Sequence, residues 1–168
     1  MPSRSLFLAA LALVLSAVAA PALAQSAPAR IGAGLDVVAV PLRAGDVDPG
    51  LGLGLRGRIA LPINSDLSAA ASVGVSARLA GSAALTATPQ VSMILTLPGG
   101  GNSVRYLLGG AGGFIPLSGG GGGPTLHAGF GWAFPFSETS VYVEVDPAIV
   151  VGAESTSVLL PARVGVIF

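Results

Sequence analysis

Residues 157–168 read S-V-L-L-P-A-R-V-G-V-I-F, and their alternation decides the architecture. Counted back from Phe168, every second residue is apolar: Val166, Val164, Ala162, Leu160 and Val158. Between them fall Ile167, Gly165, Arg163, Pro161, Leu159 and Ser157. A period of two is that of a β-strand with two unlike faces.

The same period runs upstream. In 50–63, Leu51, Leu53, Leu55, Ile59, Leu61 and Ile63 share one face, and Gly50, Gly52, Gly54, Arg56, Arg58 and Ala60 the other. In 67–80 the apolar set opposes Ser68, Ser72, Gly74, Ser76 and Arg78, and in 83–97 it opposes Thr86, Thr88, Gln90, Ser92 and Thr96. Segment 124–136 sets Leu126, Phe130, Trp132, Phe134 and Phe136 against Thr125, His127, Gly129 and Gly131. Segment 141–151 sets Val141, Val143, Val145 and Ile149 against Tyr142, Glu144 and Asp146. Segment 30–42 alternates over its first half, with Asp36 on its polar side. Segment 103–115 has the least distinct faces; Val104, Tyr106, Leu108 and Phe114 read as apolar, against Ser103, Arg105, Gly109 and Gly113. Short polar or Gly/Pro stretches separate the segments: 43–49, 64–66, 81–82, 98–102, 116–123, 137–140 and 152–156. The run of glycines at 119–123 lacks the Lys-Ser/Thr of a phosphate-binding loop and reads as a surface loop. The expectation is eight strands, each long enough to cross a bilayer at a tilt, and no helix after residue 24.

The first 24 residues have a different character. Arg4, an apolar run over 6–15, and Ala22-Leu23-Ala24 after Pro21 have the layout of a secretory signal peptide cleaved after Ala24. The domain organisation expected is therefore 1–24 signal peptide and 25–168 β-barrel. Only 10% of the residues are charged against 52% hydrophobic, an unusual surface for a soluble secreted protein. The net charge is zero, which gives no reason to expect nucleic acid as a partner. With no cysteine, disulfides and thiolate metal sites are excluded. No run of apolar residues after the signal is long enough for a membrane helix, so the high hydropathy is carried by alternation.

The terminal strand resembles the C-terminal strand of bacterial outer-membrane β-barrels, in which a final Phe preceded by alternating apolar positions is the sorting and assembly signal. Over residues 25–168 the chain resembles small eight-stranded barrels of the OmpA/OmpX type in strand count, alternation and turn asymmetry. The resemblance implies an all-β, antiparallel, up-and-down transmembrane barrel in the outer membrane of a Gram-negative envelope. It also implies contact with outer-membrane lipids, delivery to the barrel-assembly machinery through the strand ending at Phe168, and a monomer. Such a barrel is inverted, with apolar residues toward lipid and small or polar ones inside. On this reading the termini and the turns 64–66, 98–102 and 137–140 face the periplasm. Phe168, Phe134, Phe136 and Tyr106 would form an interfacial girdle there. Pro89, Pro147 and Pro161 fall within strands and predict bulges or local breaks.

Closing the barrel makes the last strand the neighbour of the first. The inward charges then alternate in sign over four adjacent strands: Glu144 and Asp146, Arg163, Asp36, Arg56 and Arg58. These six are expected to form a buried salt-bridge cluster near mid-barrel, since an unpaired charge there is costly. The cluster reads as interior packing, with a polar path for small solutes as the alternative. His127 raises an enzyme alternative, because lipid A deacylases are also eight-stranded barrels. Their His-x-Ser motif is absent, as the chain reads His127-Ala128-Gly129, and no Ser/His pair arises at a nearby spacing. One His and no Cys give no metal site, and no cofactor motif is present. The function expected is a non-enzymatic structural or surface-interaction role. The alternatives are a narrow pore and a lipid A-modifying enzyme.

Overall fold

A computed structural model describes residues 28–40, 50–79, 84–99, 101–118, 121–152 and 156–168. The expected signal peptide, its cleavage point and the turns at 43–49 and 81–82 lie outside the described residues.

The described residues form nine strands: β1 (Arg30–Val40), β2 (Gly50–Pro62), β3 (Leu67–Arg78), β4 (Leu85–Leu97), β5 (Val104–Pro116), β6 (Gly123–Phe136), β7 (Thr139–Val145), β8 (Ala148–Val151) and β9 (Thr156–Ile167). Pairing is antiparallel throughout, and β9 returns to β1 with Asp36 opposite Arg163 and Leu35 opposite Val164. Closure reaches the last residue, since Phe168 N donates to Ile31 O at 2.7 Å and Ile31 N to Phe168 O at 3.3 Å. A closed ladder leaves no unpaired strand edge, the condition for a sheet in hydrocarbon.

β7 and β8 are two halves of one stave, so the barrel has eight staves. The interruption falls where Pro147 follows Asp146, opposite Pro161 of β9. Asp146 N donates to Pro161 O at 3.1 Å, but proline has no N–H to return to the Asp146 carbonyl. Two prolines at neighbouring rungs thus cut the ladder without shifting its register on either side. Pro89 leaves β4 continuous but interrupts its pairing with β5 between Ala87 and Gln90. The expected bulges do not occur, and the breaks do.

Seven staves face as their alternation predicts. Leu55, Leu126, Val73 and Ile59 are more than half exposed on the outer wall, while Arg56, Gln90, His127, Glu144 and Arg163 point in and are buried. Segment 103–115 is the exception. Tyr106 and Leu108 are buried, Phe114 packs against interior Ala148, Val150 and Leu159, and Leu107 is exposed. The apolar face read from its sequence is therefore the inner face. Two reasons explain the inversion: Tyr106 carries a hydroxyl with an interior partner, and the half of this interior farther from the chain termini is itself apolar. Tyr106 consequently does not belong to the aromatic girdle, whereas Phe134, Phe136 and Phe168 are exposed at the same end of the barrel.

At that end the connections are short. The turn 137–138 holds Ser137 at φ 51°, in the left-handed region that tight hairpins require. The turn at 63–66 is pinned by Asn64 Oδ1, which accepts from the backbone N–H of Asp66 and Leu67 at 2.9 and 2.8 Å.

Candidate functional site

An eight-stranded barrel has an interior that side chains can fill. Here a few large side chains do so, each growing over inward glycines of nearby staves. A Cβ on Gly34 would lie 2.5 Å from Tyr142 Oη, one on Gly74 would lie 2.6 Å from Arg56 Nη2, and one on Gly131 would overlap the Tyr106 ring. The glycines of the polar face are thus the space into which the arginines and tyrosines extend.

The structure brings the six predicted charges together. Asp36, Arg56, Arg58, Glu144, Asp146 and Arg163 are all buried, and Glu144 and Asp146 have no exposed surface. Glu144, Arg163 and Asp36 occupy one continuous rung of β7, β9 and β1. Arg163 Nη1 donates to Glu144 Oε1 at 2.5 Å and to Asp146 Oδ2 at 2.7 Å. Its Nε faces Asp36 Oδ1 at 3.3 Å, an ion pair without hydrogen-bond alignment. Arg56 Nε donates to Asp36 Oδ2 at 2.8 Å. Arg58 crosses the lumen from β2 to β7, and its Nη2 reaches both oxygens of Glu144 at 2.7 and 2.8 Å. Its guanidinium also lies over the Tyr142 ring, with Cζ 5.4 Å from the centroid.

Sequence alone missed the neutral groups that complete this network. Arg56 Nη1 donates to Ser72 Oγ at 2.9 Å and to Gln90 Oε1 at 2.7 Å, and its Nη2 to Thr88 Oγ1 at 2.8 Å. Tyr106 Oη donates to Glu144 Oε2 at 3.0 Å. Glu144 therefore accepts from two arginines and a tyrosine, the partners that a buried carboxylate requires. The period-two pattern placed Ser72, Thr88 and Gln90 on the inner face; only the register says which arginine they meet.

His127 belongs to the same network. Its Nδ1 is 2.8 Å from Asp146 Oδ1, and its Nε2 is 3.3 Å from Ser92 Oγ. No Ser/His pair occurs at a nearby spacing in the sequence, and the fold makes one from residues 35 positions apart. Ser92 and His127 sit on non-adjacent staves but share a rung with Gly110 between them. A side chain at 110 would intervene, and glycine lets the two meet across β5. The connectivity is that of a Ser-His-Asp array, but Asp146 also accepts from Arg163, and all three side chains are buried. No group of three metal-ligating side chains occurs among the described residues.

Outward of the charges the interior turns apolar. Ala148, Val150 and Leu159 form a buried cluster against which Val38, Val40 and Phe114 pack. From the terminal end the lumen thus runs from tyrosines and ion pairs to an apolar cap.

No protein-family model matches this chain, and no curated protein matches it in sequence. Solved structures do. Neisserial surface protein A superposes with a TM-score of 0.64 at 16% identity, over 82% of this chain and 95% of that one. The N-terminal β-barrel domain of Pseudomonas aeruginosa OprF gives a TM-score of 0.51 at 16% identity, over 83% and 97%. Ail, the attachment invasion locus protein of Yersinia pestis, gives 0.51 at 14% identity, over 83% and 97%. At these identities the likeness is one of fold: the chain has the closed, eight-stranded architecture of outer-membrane barrels.

Proposed function

We propose that this protein is an integral outer-membrane β-barrel with a structural or surface-interaction role and no enzymatic activity. The observation that carries the reading is the inversion of its surface. A closed barrel exposes Leu55, Leu126, Ile59 and Val73 on its wall and buries three carboxylates and three guanidiniums within. In water that arrangement is unfavourable twice over, and in a bilayer it is the stable one. Outer-membrane lipids then cover the wall. The strand ending at Phe168, with its exposed terminal ring, engages the assembly machinery after removal of residues 1–24, and the folded protein is a monomer. A surface protein and an attachment protein among its structural neighbours support a role at the cell surface.

The test is gel mobility in SDS, unheated against boiled, on separated membrane fractions. A shift confined to the outer-membrane fraction is expected; a soluble periplasmic protein without a shift overturns the reading. The narrow-pore alternative predicts conductance in planar bilayers. The ionic layer and the apolar cap both fill the lumen, so silence is expected. The enzyme alternative rests on Ser92, His127 and Asp146. A fluorophosphonate probe would label Ser92 if His127 activated it, and unlabelled protein is the expected result, since Ser92 is only 7% exposed inside a filled barrel.

A further inference from the structure

The ionic layer and the apolar cap do not meet perfectly. Between them lies a cavity of about 20 Å³ to which all eight staves contribute. Its polar lining comes from Arg56, Arg163, Gln90, Thr88, Thr125 and Ser76, while Phe114, Leu159 and Val38 are among its apolar walls.

Two features of the lining point to a ligand. The first is Thr125, which is 3% exposed and whose Oγ1 has no hydrogen-bond partner. Buried hydroxyls are nearly always bonded, so an unpaired one lining a void implies a guest that bonds it. The second is the sign of the lining. None of the three carboxylates of the cluster reaches the cavity; Asp36, Glu144 and Asp146 hold the guanidiniums from the other side. Arg56 Nη2 donates to Thr88 Oγ1 and Arg163 Nη2 to Gln90 Oε1, and each of these nitrogens carries a second hydrogen. Gln90 Oε1 already accepts from both arginines. The void is therefore lined by two guanidiniums and no carboxylate, and the hydroxyls of Ser76 and Thr125 can turn to donate to a guest.

We propose that this cavity binds a single halide ion, chloride under physiological conditions. The volume suffices for one water-sized guest and excludes a phosphate or a carboxylate. A water molecule would satisfy Thr125 but would bring no negative charge to the two guanidiniums that line the void. A halide accepts from Thr125 and the guanidiniums, donates nothing, and tolerates contact with Phe114 and Leu159. The inference does not depend on the surface role proposed above, since it concerns the barrel interior alone.

The experiment is crystallisation of the refolded full-length mature barrel with sodium bromide replacing sodium chloride, and anomalous data at the bromine edge. One interior peak in contact with Thr125 and bounded by Arg56 and Arg163 is expected. Water density or an empty void at saturating bromide overturns the proposal. In solution, the unfolding temperature in chloride should exceed that in gluconate at equal ionic strength, and Thr125→Val should abolish that difference. The heat-dependent gel shift verifies that the variant still folds. Equal unfolding temperatures of the unaltered protein in the two salts would likewise overturn it.

Discussion

The two halves of the barrel interior solve the same problem by different means. Toward the chain termini, Arg58, Glu144, Arg163 and Tyr106 fill the lumen with directional bonds, and the Tyr142 ring lies under Arg58. Toward the other end, Val38, Val40, Phe114, Ala148, Val150 and Leu159 fill it by shape alone. The ionic half tolerates little, because each group was desolvated in reliance on its partner. The apolar half has no such dependency and yields in proportion to the volume removed. The contrast teaches that burial does not by itself predict sensitivity. What matters is whether truncation leaves a charge behind or only a void.

The largest expected effect is at Glu144. Glu144→Ala leaves Arg58 without its carboxylate and Arg163 with one partner fewer, and should cost about 3–5 kcal/mol in urea unfolding from lipid vesicles. A loss of less than about 1 kcal/mol would mean that water enters this half and that the two regions are not distinct. Next is the apolar half. Leu159→Ala should cost about 2–3 kcal/mol by the same measurement, the cost of a buried leucine and its residual void.

The tyrosines sharpen the comparison within the ionic half. Tyr106 donates to Glu144, so Tyr106→Phe should cost about 1.5–2 kcal/mol, the worth of a hydrogen bond to a charge. Tyr142 is equally buried, but its hydroxyl has no partner. Tyr142→Phe should therefore be neutral or slightly stabilising, within about 0.5 kcal/mol. Equal losses from the two substitutions would show that the Tyr142 hydroxyl is bonded after all, through a guest in the lumen.

The inner-face positions of Asp36, Arg56, Arg58, Glu144, Asp146 and Arg163 were legible because charge on one side of a period-two segment has only one place to go in an inverted barrel. The β1–β9 closure, which makes Arg163 the neighbour of Asp36, followed from the inverted barrel, in which an unpaired strand edge in lipid is too costly. The orientation of β5 was not legible. Tyr106, Leu108 and Phe114 are as apolar as an outer wall requires, and only the tyrosine hydroxyl distinguished the faces. The meeting of Ser92 with His127 was also hidden, because it depends on Gly110 lying on their shared rung. The outcome at Pro147 needed the register too, since it places Pro161 opposite Asp146.

The sequence by itself determined that this chain is a closed antiparallel barrel of eight staves with most of its faces assigned. Alternation is a local property, and a bilayer admits few solutions to it. Only the tertiary structure decided which inward groups touch: Arg58 with Glu144 across the lumen, His127 with both Ser92 and Asp146, and the arginines around a void beneath an apolar cap. Those contacts depend on register and on side-chain reach over glycine. Both are set by packing all the staves at once, and neither is written in the spacing of any one of them.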